Sequence, residues 1–98
     1  MAMTVAGRTV ITTAGTRVQV DNTARRVLSI LFKGRDSNTG KVYVGDATVS
    51  STVGFELKAN QAVNVRFLDI RISGIMSNFW VDAATNGDIV DWIAILWP

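Results

Sequence analysis

The chain of 98 residues contains no histidine and no cysteine. Histidine is the commonest general base, metal ligand and pH switch in proteins, and cysteine supplies thiolate sites and disulfides. The only proline is Pro98, so no proline within the body of the chain interrupts sheet pairing. We therefore predict that the chain is not an enzyme and holds no cofactor or metal.

A surplus of charge and a long apolar run are also missing. Ten basic and eight acidic side chains leave a net charge of +2, which is too little to predict nucleic-acid binding. No apolar run approaches the roughly 18 residues that a membrane-spanning helix needs. The first ten residues lack the charged and then apolar pattern of a signal peptide. We expect neither nucleic acid nor a membrane as a partner.

What the chain has in abundance is residues that favour strands. Valine, isoleucine and threonine make up 31 of the 98 residues. In residues 41–61 apolar and polar residues alternate at first. The alternation stops at a turn, a Ser/Thr run follows, and the strand pattern then resumes. About eight short strands at roughly ten-residue spacing predict an all-β fold, a small antiparallel β-sandwich for which the jelly roll is one possible arrangement. We predict one domain over residues 1–98, in which residues 1–7 form an arm that is flexible or ordered by a partner.

Two details of the strand pattern can be checked directly. Residues 25–33 are apolar on both faces, with Val27 and Leu31 on one face and Leu28, Ile30 and Phe32 on the other, as in a strand buried on both sides. Residues 34–40, GRDSNTG, are rich in turn formers and predict a hairpin that returns through residues 41–44.

The last predicted strand, residues 89–97, is apolar on both faces. One interpretation is a central strand of a packed sandwich, and the other is a strand with one face in a contact between subunits. Apolar residues make up 48% of the chain, more than so small a domain can bury, and tryptophan is favoured at interface centres. The predicted oligomer or capsid contacts are Ile93, Ile95 and Trp97 of this strand, with Met1, Met3, Val5 and Arg8 of the N-terminal segment.

Two segments resemble binding motifs superficially. Gly34 to Lys41 suggests a phosphate-binding loop, but its glycine spacing is wrong and no helix follows. Asp82 to Asp88 suggests a calcium loop, but Ala84 occupies a ligand position and Ile93 stands where a glutamate is needed. A turn in which Asn86-Gly87 supplies the positive φ is the preferred interpretation, and weak ion binding at Asp82 and Asp88 stays open.

Several positions of the chain carry a resemblance to a known family. They are Val42 to Asp46, Val49 to Ser51, Gly54-Phe55, Leu57, Trp80 to Ala83, Asp88, Val90 and Trp92. This pattern resembles small structural proteins of tailed-bacteriophage virions, in which a VYVGD…VSSS…GF segment precedes a WVDA…D-x-V segment. The chain departs from the family at Asn60-Gln61, where a glycine and an acidic residue are usual, and at Val53, where an asparagine is usual.

The resemblance implies a β-sandwich capsid decoration or cement protein made in the bacterial host cytoplasm. It would bind the major capsid protein on the exterior of the virion, as a dimer or trimer. Related proteins also serve in head fibres and tails, so a carbohydrate- or receptor-binding module is the alternative. In that alternative, Tyr43 and Trp80 would be exposed together on one flat sheet face and would stack on sugar rings.

Overall fold

The computed structural model describes residues 3–67 and 74–96. Within these ranges the chain forms nine strands and one 3-10 turn, Met76–Asn78. The strands are β1 Met3–Ile11, β2 Val18–Gln19, β3 Arg26–Gly34, β4 Val42–Gly45, β5 Phe55–Leu57, β6 Ala62–Arg66, β7 Gly74–Ile75, β8 Trp80–Ala83 and β9 Asp88–Leu96. The predicted all-β class is confirmed.

The strands form two antiparallel sheets that pack as a sandwich. The first sheet has the order β1-β9-β3-β6, with β7 pairing to β3 beyond the end of β6. The second sheet has the order β2-β8-β4-β5. If β6 and β7 are counted as one strand position, this is the order of a jelly roll, in which two Greek keys distribute eight strand positions over two sheets.

Alternating side chains from both sheets build the core. In β9, Val90, Trp92, Ala94 and Leu96 face inward and are buried. Phe32 of β3 is fully buried, and its ring centroid lies 5.6 Å from that of Phe79. The predicted apolar inner face of the last strand is therefore confirmed, and β9 lies at the centre of its sheet between β1 and β3.

A β-bulge in β3 corrects the predicted faces of that strand. Val27 pairs with Leu96 and Ser29 with Ile95, so Leu28 is an extra residue on the β3 side. An extra residue reverses the alternation. Val27 therefore faces the core together with Ile30, whereas Leu31 is 40% exposed, and the prediction that Val27 and Leu31 share a face is wrong.

Residues 34–40 do not form the predicted hairpin. They cross from β3 in the first sheet to β4 in the second, which pairs with β5 and β8. The crossing loop is fastened to the start of β9. The side chain of Asn38 donates to the carbonyl of Ile89 and accepts from its amide, both at 2.8 Å, and the Asp88 carboxylate accepts the Gly40 amide at 2.9 Å.

The first strand begins earlier than the sequence pattern predicts. β1 pairs with β9 over nine residues, from Met3 opposite Leu96 to Ile11 opposite Asp88. The prediction of a loose arm over residues 1–7 is therefore wrong for residues 3–7, whose strand is already ordered by pairing within the chain. Met1 lies outside the described residues.

Candidate interaction surface

One face of the sandwich carries most of the exposed aliphatic surface. We call it the outer face, and it consists of the outward side chains of the first sheet. Seven large hydrophobic side chains are exposed in the part of the chain that the structure describes. Five of them lie on the outer face: Val10, Leu31, Ile75, Ile93 and Ile95. No element of the described residues covers this face, so it is a candidate for contact with a partner.

Strand register brings four of the small and aliphatic side chains together. Ile93 of β9 stands between Ala6 of β1 and Leu31 of β3. Ile95, the next outward residue of β9, stands between Thr4 and Ser29. Directly opposite side chains on neighbouring strands lie about 5 Å apart, so Ala6, Leu31, Ile93 and Ile95 form one contiguous patch, the aliphatic centre. A shallow depression lies between Leu31, Ile93 and Ile95.

Charged side chains border the aliphatic centre on two sides. The next row across the sheet is Arg8 of β1, Asp91 of β9 and Lys33 of β3. Arg35 forms a bidentate ion pair with Asp91, with nitrogen–oxygen distances of 2.6 and 3.0 Å. Hydrogen bonding to Asp91 raises the pKa of Arg35 above its ordinary value, so the guanidinium stays charged. Arg66 of β6, opposite Ser29, completes the rim beside Ile95.

Three of the seven predicted contact residues lie on the outer face: Ile93, Ile95 and Arg8. Val5 does not, because it points inward and packs partly buried against the core, so its prediction as a contact is wrong for this face. Met3 pairs with Leu96 in β1, and its side chain is not described. Met1 and Trp97 lie outside the described residues. That any of these residues contacts a partner stays a prediction.

Sequence reasoning missed Leu31, which contributes as much exposed surface as Ile95. Leu31 is 40% exposed and Ile95 41%. The signal was present, because Leu31 and Lys33 alternate with the buried Ile30 and Phe32. The bulge at Leu28 concealed it, since residues before the bulge suggest the opposite orientation.

The aromatic pair of the carbohydrate-binding alternative is not exposed as a pair. Tyr43 lies in β4 between β8 and β5 and is only 7% exposed. Its ring cannot stack on a sugar without moving, so the prediction for Tyr43 is wrong. Trp80 is half-buried, and the guanidinium carbon of Arg17 lies 6.0 Å from its ring centroid, at the outer limit of a cation–π contact.

The two carboxylates of the segment that resembles a calcium loop act as loop anchors. Asp82 Oδ1 accepts the amides of Gly15 at 3.1 Å and Ala83 at 2.8 Å. Asp88 accepts the amides of Thr39 and Gly40, at 3.1 and 2.9 Å. Backbone donors thus occupy Oδ1 of Asp82 and both carboxylate oxygens of Asp88. Among residues 3–67 and 74–96, no three or more acidic, histidine or cysteine side chains cluster as a metal site would require.

Glycine supplies the positive φ of the turn between β8 and β9. Gly87 has a φ of +84°, as predicted, whereas Asn86 keeps a negative φ. The side chain of Asn86 instead accepts the amide of Ala14 at 2.7 Å, which joins the turn to the loop after β1.

No helix in the described ranges is both long and apolar enough to cross a membrane.

Comparison with known proteins supports the fold. No protein-family model and no curated protein matches the sequence. A protein from Bacillus endospore appendages, which form disulfide-linked pili, aligns with 99% of this chain and 86% of its own at a TM-score of 0.63 and 12% identity. The SPBc2 prophage-derived protein YomS aligns over 97% and 95% of the two chains at a TM-score of 0.53 and 14% identity.

A third solved structure contains the same fold as a small part. The IMPa metallopeptidase, solved in complex with T-antigen, aligns with 96% of this chain at a TM-score of 0.56 and 13% identity. The aligned region is only 12% of that metallopeptidase chain. At these identities the three likenesses establish a shared β-sandwich.

Proposed function

We propose that the chain is a bacteriophage virion structural protein, a capsid decoration or cement protein that binds between major capsid subunits on the outside of the shell. The outer face carries this proposal. It presents an aliphatic centre with a charged rim, the anatomy of a protein–protein interface. The function needs no chemistry, and in this proposal the chain is neither an enzyme nor a cofactor carrier.

Two further observations support a virion role. The sequence pattern around Val42–Asp46 and Trp80–Ala83 resembles phage virion proteins, and both stretches form adjacent strands of the second sheet. YomS, a prophage-derived protein, shares the fold over nearly its full length, and the spore-appendage protein shows the fold in a fibrous assembly. The carbohydrate-binding alternative loses its main support, because Tyr43 is buried.

The mechanism would be burial of aliphatic surface at many equivalent sites. Four strands about 4.8 Å apart, with residues rising about 3.3 Å each, give the outer face an area of about 500 Å². Standard interfaces bury about 800 Å² per partner, so a single contact of this size would be weak. A symmetric shell offers repeated sites, and a dimer or trimer of the chain would engage several at once and gain avidity.

The copy number of the chain in purified virions tests this proposal. Quantitative mass spectrometry of density-purified particles should find the chain at hundreds of copies, in a fixed ratio to the major capsid protein. Removal of the gene should yield particles that lose their genome at a lower temperature than wild-type particles. A few copies per particle would point to a fibre or tail, and complete absence from particles would refute a virion role.

A further inference from the structure

We infer that the outer face binds a different protein chain whose contact surface is an apolar ridge flanked by carboxylates, and that it does not pair with a second copy of itself. The inference rests on the proposed function only in naming a shell subunit as that chain. Its other support is the distribution of charge over the described residues.

The basic side chains are concentrated on the outer face. Its outward charged residues are Arg8, Arg26, Lys33, Arg35, Arg66 and Asp91. Five basic groups stand against Asp91 and the exposed Asp36, which follows Arg35 in the chain and acts on its charge, so the net charge here is +3, whereas the whole sequence carries +2. Asp91 is already paired with Arg35, so Arg8, Lys33 and Arg66 present their charge to any approaching surface.

Two copies placed face to face would bring these basic rims together. A two-fold interface presents the same patch on both subunits. Opposed like charges cost free energy and slow association. The whole outer face covers only about 500 Å² per partner, below the roughly 800 Å² of a standard interface, and the aliphatic centre is a part of it, so apolar burial between two copies would offset little of that repulsion.

Other surfaces of the chain do not offer a complementary acidic patch within the described residues. Asp82 and Asp88 are buried, at 3% and 5% exposure, and serve as loop anchors. Asp21 pairs with Arg25 and Glu56 with Lys41. Asp36 and Asp46 are exposed, but they stand singly in two different loops, and Asp46 accepts hydrogen bonds from Thr48. Head-to-tail stacking of copies therefore offers the outer face single carboxylates and no acidic cluster, which favours another protein as the source of the complementary carboxylates.

Lipid and nucleic acid fit the outer face less well than protein. Its described outward side chains include no aromatic residue, although aromatic side chains are what anchor proteins at membrane interfaces and stack on exposed bases. A duplex contacts basic groups along a continuous phosphate track. Here the basic groups border the exposed side chains of Leu31, Ile93 and Ile95. A bound duplex would place its polar backbone over these three aliphatic side chains.

A pair of matched lysine variants tests the inference. Lys33→Glu and Lys58→Glu make the same change in net charge, but Lys33 lies on the outer face and Lys58 lies in the connection from β5 to β6. Each full-length variant is added to phage particles that lack the chain, in about 50 mM and 500 mM salt. Lys33→Glu should lower the association rate about tenfold at low salt and much less at high salt, since salt screens rim charges. Lys58→Glu should stay within about twofold of wild type.

A carbodiimide cross-link, which joins a lysine amine to a carboxylate, identifies the partner surface. The chain has only three lysines, and Lys33 is the one on the outer face, so Lys41 and Lys58 serve as internal controls. In the particle-bound protein, Lys33 should link to an Asp or Glu of another chain, and the two control lysines should link to other chains much less. The same reaction on the purified protein should give no Lys33 link between copies.

The outcomes separate this inference from the proposed function. The inference is overturned if the wild-type protein binds particles and the two variants lose the same fraction of its association rate. A cross-link from Lys33 to a second copy of the chain also overturns it. Both results leave the virion role standing. The inference is also overturned if the wild-type protein binds vesicles with 30% anionic lipid, or duplex DNA, and Lys33→Glu abolishes that binding. If neither the wild-type protein nor a variant binds particles, the virion role fails. Cross-linking in a lysate of infected cells then decides the inference: it holds if Lys33 joins a carboxylate of a different protein, and it fails otherwise.

Discussion

The contact between Gly7 and Trp92 makes a specific prediction about core packing. A Cβ atom at Gly7 would lie 2.7 Å from Cζ2 and 3.1 Å from Cε2 of Trp92, against about 3.5–4.0 Å for an ordinary carbon contact. Trp92 is itself held between Gly7 of β1 and Phe32 of β3. Overpacking of this kind costs about 1–3 kcal/mol, and the lower chain entropy of alanine in the unfolded state returns about 0.4–1 kcal/mol.

We therefore expect Gly7→Ala to lower the free energy of unfolding by about 1–2 kcal/mol. For a domain of this size the melting temperature should fall by about 5–15 °C. Urea unfolding followed by far-UV circular dichroism measures the change. Ala6→Ser, on the outward side of the same strand, is the control and should change stability by less than about 0.5 kcal/mol.

A double-mutant cycle with Trp92→Phe identifies the cause. Phenylalanine removes the second ring that the new Cβ would strike, and it also removes the buried Nε1 of Trp92, which has no hydrogen-bond partner. Gly7→Ala should therefore cost about 1 kcal/mol less in the Trp92→Phe background than in the wild type. Additive losses in the cycle, or a Gly7→Ala protein as stable as the wild type, would refute this account of why glycine stands at position 7.

Three further predictions concern the buried and capping carboxylates. Asp88→Ala should lower the free energy of unfolding by about 2–4 kcal/mol, because the amides of Thr39 and Gly40 lose their acceptor. Asp88→Asn should lower it by less, and urea unfolding measures both changes. Hydrogen bonds from Thr48 lower the pKa of Asp46 below its ordinary value. The stability from this group is therefore fully present above the unfolded pKa and disappears as the pH falls through the lower folded pKa. Asp46→Asn should make acid unfolding, followed by circular dichroism, less steep in that range. Calcium at about 1 mM should leave the wild-type melting temperature unchanged, and a rise would reveal an ion site at the two buried carboxylates.

The sequence predicts strands well where alternation is strict. β9 alternates over nine residues, so both its buried inner face and its exposed Ile93 and Ile95 could be assigned in advance. In β3 the run Val27-Leu28-Ser29 has no feature that marks Leu28 as an extra residue, and the face of Leu31 was therefore assigned wrongly. Local patterns report alternation but not where a partner strand omits a residue.

Connections and the site depended on distant residues. Residues 34–40 have the composition of a hairpin, but anchors on Asp88 and Ile89, about 50 positions away in sequence, hold them as a crossing between sheets. The rim of the outer face comes from four strands, and only register brings Arg8, Lys33 and Asp91 into one row. A net charge of +2 for the whole sequence could not reveal that five of its ten basic side chains lie on one face.

The position of β9 explains how a small outer face could still bind well. β9 is paired on both sides, and the loop after β3 is fastened to its start by Asn38, Asp88 and the Arg35–Asp91 ion pair. The backbone beneath Ile93 and Ile95 is therefore held in place before any partner arrives. Isoleucine and leucine lose about 0.5–1 kcal/mol of side-chain entropy on burial, less than lysine or arginine. A face that needs so little ordering converts more of its burial into affinity, while the basic rim sets the orientation and rate of approach.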